Sequence, residues 1–162
     1  MDEVKTERDA DIEWRKCKKS LLYYLTHYVL IQDRIKQSII RWEPWPHLLQ
    51  LVELVQAWSD AEERKPLSVI IFKSRQVGAT TTICAIANWL ASFFESTKIE
   101  FESETGEIAN EMLIRVKVIN RYHPDYLKLK TFPDQDDILG YPATNAMLVA
   151  MGSTPTAGRA SD

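Results

Sequence analysis

Apolar side chains recur from Asp11 onward at Trp14, Cys17, Leu21, Leu25 and Tyr28, spaced 3, 4, 4 and 3 apart, which keeps them on one stripe of a helix. In RWEPWPH, Pro44 and Pro46 interrupt regular structure until Pro46 can open a second helix, where its missing N–H is not needed. Leu48, Leu51, Val55 and Trp58 form the stripe of that helix, and the polar run from Ser59 to Pro66 ends it. Leu67 to Phe72 is a short, continuous, β-branched apolar run, so the pattern predicts a buried strand. Thr80 to Glu95 predicts a helix with Ile83, Ile86, Leu90 and Phe94 inward. KIEFE at 98–102 alternates as a strand does, and Ile108, Met112, Val116 and Ile119 predict a further helix that stops near His123-Pro124. Residues 131–142, TFPDQDDILGYP, predict exposed turns, and Asn145 to Met151 a last strand. The whole reads as an α/β chain in which strand, tight loop and helix follow one another between residues 67 and 95.

That loop is KSRQVGAT, Lys73 to Thr80. A phosphate-binding loop works because successive backbone N–H groups converge at the positive end of a helix. The usual pattern G-x-x-x-x-G-K-[ST], laid on this string, puts Lys73 at the first Gly and Ala79 at the Lys. Gly78 would let the backbone approach a phosphate closely, and Thr80 stands where a hydroxyl joins a Mg2+ shell. Ala79 cannot supply the ammonium, whereas Lys73 at the opposite rim can. Ala79→Lys should then rebuild the usual pattern in a chain that has lost Lys73. The same strand, single Gly and Thr-rich helix start also serve as a plain turn in many α/β proteins.

Composition narrows the alternatives. The 162 residues suit one domain with a real core, and 45% hydrophobic with 27% charged content is ordinary for a globular protein. A net charge of -3 leaves no general basic footprint, so a polyanion site would have to be local. Cys17 and Cys84 are too few for a disulfide framework, Cys84 reads as core, and a reducing intracellular compartment is the default. Leu21 to Ile31, the longest apolar run, is broken by Thr26 and His27 and falls short of the roughly 20 residues that span a bilayer. MDEVKTERDAD is the opposite of a signal peptide. His27, His47 and His123 are scattered without partners at metal-ligand spacing, and nothing is arranged for covalent catalysis.

The string Lys73-Ser-Arg-Gln-Val-Gly-Ala-Thr80 resembles the variant Walker A of tailed-phage terminase large subunits, K-[SA]-R-Q-[LV]-G-x-[ST], whose lysine stands first. CKKSLLYYLTHYVLIQD and WEPWPHLLQLVELV look like that family's helical lead-in and adenine-side segment. SETGEIANEMLIRVKVINRYHPDYLKLK looks like its second strand and following helix, and AMLVAMGSTPTAGRASD like the segment before its Walker B strand. The resemblance covers roughly residues 15 to 162, and the loop is its one highly specific element. It implies an additional-strand P-loop NTPase with a three-layer α/β/α core and N-terminal helices. Residues 1–65 would be the lead-in and adenine-side segment, and 66–162 a partial ATPase core that stops before the Walker B strand, with the family's nuclease domain absent.

It further implies that Lys73, Ser74, Arg75, Gln76, Val77, Gly78, Ala79, Thr80 and Thr81 hold ATP, with Mg2+ on Thr80. Arg75 would act as a catalytic arginine finger in cis; pairing with a carboxylate or a neighbouring subunit is the competing reading. Gln76 would orient water or brace the loop. Trp42 and Trp45, near Gln50, could form an adenine-stacking wall, with core packing the safer reading for at least one of them. Arg159 could sense nucleotide or contact DNA, and GSTPT could instead be the coupling motif that follows Walker B. Partners by resemblance are double-stranded DNA, a portal protein and a small terminase subunit, in a ring of identical chains within the infected bacterial cytoplasm. Hydrolysis would need an Asp-Glu pair not found between Lys73 and Gly152, so binding without efficient turnover is expected. The alternatives are another P-loop nucleotide-binding protein and a non-catalytic interaction module.

Overall fold

A computed structural model describes residues 7–33, 38–43, 45–63, 65–71 and 78–153. Helix α1 (Glu7–Lys19) and helix α2 (Leu21–Tyr28) divide the stripe that periodicity joins into one helix. The break is at Ser20, which takes extended backbone angles and whose hydroxyl accepts from Tyr23 N at 3.1 Å as the cap of α2. Gln56, on helix α3 (Pro46–Asp60), bridges the junction: its Oε1 accepts from Leu21 N at 2.7 Å and its Nε2 donates to Lys19 O at 3.2 Å. Backbone groups freed by the break are thus paired from the side.

Strands β1 (Leu30–Asp33) and β2 (Ser38–Arg41) pair antiparallel as a hairpin on which the sequence reading was silent. Arg41 turns back from it to donate to the carbonyls of Thr26 and His27 at 3.1 and 2.7 Å, satisfying the end of α2. Pro46 is the first residue of α3, as its missing N–H favours.

Leu67 to Ile71 depart from expectation. They form no strand and are exposed, Ile70 to 78%, and Phe72 lies outside the described residues. A strand needs a partner for its N–H and C=O groups, and no described strand pairs with this one. Helix α4 (Ala79–Phe93) follows as predicted, but its burial does not follow one stripe. Cys84, Ala85, Ile86, Ala87, Asn88, Trp89, Ala91, Ser92 and Phe93 are all buried, because α2, α3 and the next helix surround it.

The larger sheet has the order β3-β5-β4: strand β3 (Lys98–Ser103), strand β4 (Ile138–Tyr141) and strand β5 (Ala146–Gly152). β3 and β5 run parallel, with helix α5 (Gly106–Arg121) between them in sequence, and β4 forms a hairpin with β5. The exposed turns expected over 131–142 are therefore partly wrong, since Leu139 and Tyr141 of β4 are fully buried. At Gly140 the chain around Phe132 and Pro133 passes so close that a Cβ would strike the Phe132 carbonyl.

The register puts Ile99, Phe101, Leu148, Ala150, Leu139 and Tyr141 on one face, against α4 and α5. Lys98, Glu100 and Glu102 stand on the other face beside the exposed Met147. Among the described residues the sheet thus has helices packed on one face, giving two layers where the resemblance implies three. Those charged side chains keep the second face in water.

The core is continuous across residue 65: Cys17, Leu21, Leu25, Leu48 and Val52 join Ile86, Trp89, Leu113 and Leu148 in one cluster. A polar chain crosses it, with Tyr141 Oη donating to Asn88 Oδ1 at 2.6 Å, Asn88 Nδ2 donating to Tyr24 Oη at 2.8 Å, and Tyr24 Oη 3.1 Å from His123 Nε2. Cys17 and Cys84 are buried free thiols, each pushed up to about 12 chiefly by burial, which makes them inert packing groups. No described helix is long and apolar enough to cross a membrane.

Candidate functional site

The head of α4 carries the residues singled out by the sequence. Gly78 caps it in the left-handed region, at φ 72 and ψ -7, where a side chain would be strained; a Cβ there would also sit 3.4 Å from Leu48 Cδ1. The first intrahelical bond runs from Thr82 N to Gly78 O at 3.0 Å, so the amides of Ala79, Thr80 and Thr81 precede it and have no helical acceptor. No acidic residue occupies the first turn and no side chain caps it. The resulting electrostatics favour an anion in front of the helix.

Ala79 is only 2% exposed, packed into the core. Ala79→Lys would therefore drive an ammonium into apolar surroundings, and the rescue expected from the sequence pattern is withdrawn on that ground. Thr80 and Thr81 are half-buried. Lys73, Ser74, Arg75, Gln76 and Val77, as well as Arg159 and all of GSTPT beyond Ser153, lie outside the described residues.

The two tryptophans separate. Trp42 is buried at 3% exposure, and its indole Nε1 donates to Thr82 Oγ1 at 3.0 Å. The same hydroxyl donates to Gly78 O at 3.1 Å. Trp42 is thus a core residue that braces the helix head through Thr82. Trp45 is 46% exposed, precedes α3 and meets His47 edge-on at 5.5 Å. It remains free to offer a ring face.

The sequence reading missed Thr82, Arg115 and Glu111. Thr82 was hidden in a run of three threonines, although four residues after Gly78 is where a helical hydroxyl reaches back to a carbonyl. Arg115 comes from α5, and its Nη1 lies 3.5 Å from Thr81 Oγ1 while Nη2 lies 3.8 Å from Glu111 Oε2. Thr81, Arg115 and Glu111 line a pocket of about 180 Å³ between β1, α5 and the start of α4. No local pattern announces such a meeting, because it depends on how α5 crosses α4.

No cluster of His, Cys, Asp and Glu suited to a metal ion occurs among the described residues. Among the described carboxylates Glu13 is strongly perturbed: burial opposes its charge, but hydrogen bonds from Lys16, Tyr28 and Tyr23 outweigh it and hold the group at about 2. Its partners all lie on α1 and α2, so it fastens those helices together and is remote in role from the α4 head. No family model matches the chain, and no curated protein is significantly similar to it.

Proposed function

We propose that this chain is the ATP-binding part of a P-loop ATPase of the kind that forms the large terminase subunit, the motor that packages double-stranded viral DNA. One observation carries the reading: the string KSRQVGAT runs into a helix headed by a left-handed glycine, with three amides ahead of the first intrahelical bond and no acid in the first turn. In this reading the amides at the helix head and Lys73 grip the phosphates, the Thr80 hydroxyl joins Mg2+, and Arg75 offsets charge that develops on the terminal phosphate. Gly78 permits the close approach, and the Trp42–Thr82 brace holds the amides in place. Double-stranded DNA, a portal protein, a small terminase subunit and a ring of identical chains in the infected bacterial cytoplasm belong to the same proposal.

The test is isothermal titration with a non-hydrolysable ATP analogue and Mg2+. The wild type should bind, and Lys73→Ala should weaken binding by roughly 10- to 150-fold, as loss of one charge-assisted bond worth about 1.5 to 3 kcal/mol requires. Unchanged affinity on losing Lys73, or no binding by the wild type, would return the loop to a structural turn. DNA-stimulated hydrolysis in a longer chain carrying an acidic pair separates a packaging motor from other nucleotide-binding proteins.

A further inference from the structure

We propose that the outer face of α5 pairs with the same face of a second copy of this chain, the two helices antiparallel about a two-fold axis. The proposal does not rest on the nucleotide reading. Ala109, Leu113, Val116, Ile119 and Asn120 take the inner side of α5, packed against α4 and the sheet. The outer side carries Glu107, Glu111, Ile114, Val118 and Arg121, spaced 4, 3, 4 and 3 apart, so a second stripe runs along the helix facing away from the core.

The middle of this stripe is apolar. Ile114 is 54% exposed, Val118 one turn on is half-buried, and Ile108 and Tyr122 flank the stripe at 49% and 44%. Apolar groups gathered on one exposed face and bounded by charge mark an interaction surface rather than a solvated one. The order of charge then selects the partner. Glu107 and Glu111 stand toward the N-terminal end of the stripe and Arg121 at its C-terminal end, all three exposed. That order suits the helix dipole, but the dipole gives no reason for the apolar middle.

A two-fold axis accounts for both, because it sets the stripe against its own reverse. Position 114 lies midway between 107 and 121, and 115 midway between 108 and 122. An axis there brings Glu107 beside the partner's Arg121, Ile108 beside the partner's Tyr122, and the two Ile114 side chains together. Parallel helices would set like charge on like charge instead. Arg115, close to the axis, is turned toward Glu111 and Thr81 of its own chain at 3.8 and 3.5 Å, which offsets its like charge across the axis. Such a contact uses one patch on both chains, so it is a different surface from the head-to-tail contact of a ring. A helix of 16 residues is about 24 Å long and 10 Å wide, well under the roughly 800 Å² per partner of a standard interface. Pairing should therefore be weak, at about 10 μM or above.

Sedimentation equilibrium from about 10 μM to about 1 mM tests the pairing on wild type, Ile114→Glu, Glu107→Arg, Arg121→Glu, an equal mixture of the last two, and Ile70→Asp. All these side chains are exposed, so their replacement leaves the core intact, and circular dichroism checks that each variant folds. The wild type should show a monomer–dimer equilibrium. Ile114→Glu should weaken it at least roughly tenfold, since two carboxylates then meet at the axis. Each charge reversal alone should weaken it by about threefold to tenfold, because the two-fold counts every clash twice. Mixing the two reversed chains should return the affinity to within about threefold of wild type, because the mixed pair has opposite charges at both ends again. Ile70→Asp should leave the equilibrium unchanged, which separates it from association through the exposed residues 67–71. A wild type that stays monomeric throughout, or dimers unaffected by Ile114→Glu, would overturn the proposal. Single reversals without effect, or a mixture no better than either chain alone, would overturn the antiparallel arrangement. Dimers lost only in Ile70→Asp would move the contact away from α5 and overturn it as well.

Discussion

Thr82 joins two parts of the site through one oxygen, and removing that oxygen has a calculable cost. Thr82→Val keeps the shape of the side chain. Gly78 O retains its bond from the amide of residue 82, so the carbonyl is not stranded, but the indole N–H of the buried Trp42 loses its acceptor. An orphaned buried donor costs about 1 to 3 kcal/mol. Thr82→Ser keeps the hydroxyl and deletes one buried methyl, at about 0.8 kcal/mol. A chain of this size loses roughly 2 to 4 °C of Tm per kcal/mol, so Val should fall by about 2 to 12 °C, centred near 6 °C, and Ser by about 2 to 3 °C. Urea and thermal melts followed by circular dichroism and tryptophan fluorescence read both. In the cycle with Trp42→Phe the double mutant should recover on the order of 1 kcal/mol, because both polar partners are then gone. If Thr82→Val proves as stable as wild type, or more stable than Thr82→Ser, the hydroxyl does not brace the helix head.

Burial holds His123 down to about 4, below its ordinary value of 6.5, so its neutral form stabilises the fold above pH 6.5 and that contribution is lost as pH falls toward 4. At about 1.4 kcal/mol per pH unit, unfolding free energies from urea melts at pH 7 and pH 5 should differ by on the order of 2 kcal/mol in wild type and by much less in His123→Gln; the stability from Glu13, held at about 2, is full above pH 4.5 and is lost only as pH falls below it. Ile70→Asp should change stability by less than about 0.5 kcal/mol and raise solubility, since the side chain is exposed, whereas a loss above about 2 kcal/mol in a urea melt would mean that residues 67–71 are a buried strand after all. Gly152→Ala should cost about 1 to 3 kcal/mol in the same melts, because its Cβ would sit 2.8 Å from Gly106 N in the first turn of α5; a neutral result would show that this turn yields easily.

What periodicity could reach, it reached. The α3, α4 and α5 helices and the β3 and β5 strands lie where their 3.6- and 2-residue repeats put them, and Gly78 heads its helix as the loop pattern required. The misses share one cause, a dependence on contacts distant in sequence. Ser20 could cap a helix or sit inside one, and Gln56, bonded to Leu21 from 35 residues away, helps to settle which. Ile138 to Tyr141 look like the end of a polar loop until β5 supplies a partner. Leu67 to Ile71 show the converse, an apolar run with strand propensity and no described neighbour to pair with. Gly78 and Thr80 stand at the head of α4, where the local pattern puts the start of a helix, while the Arg115–Thr81 approach belongs to helix crossing alone.

The enclosure of α4 on nearly every side also sets how freely its sequence can vary. Ala85, Ala87, Ala91 and Ser92 are small where neighbouring elements come close, and each added methylene there would force side chains off their rotamers or push the backbone apart, typically at 1 to 3 kcal/mol. A saturation library scored for folding should therefore find its narrowest tolerance along α4, accepting little beyond Gly, Ala, Ser and Cys at these positions, while α1 and the outer face of β3 drift widely. A helix so constrained keeps its length and direction through sequence change, and Gly78 to Thr81 at its head keep their place even as the surface around them diverges.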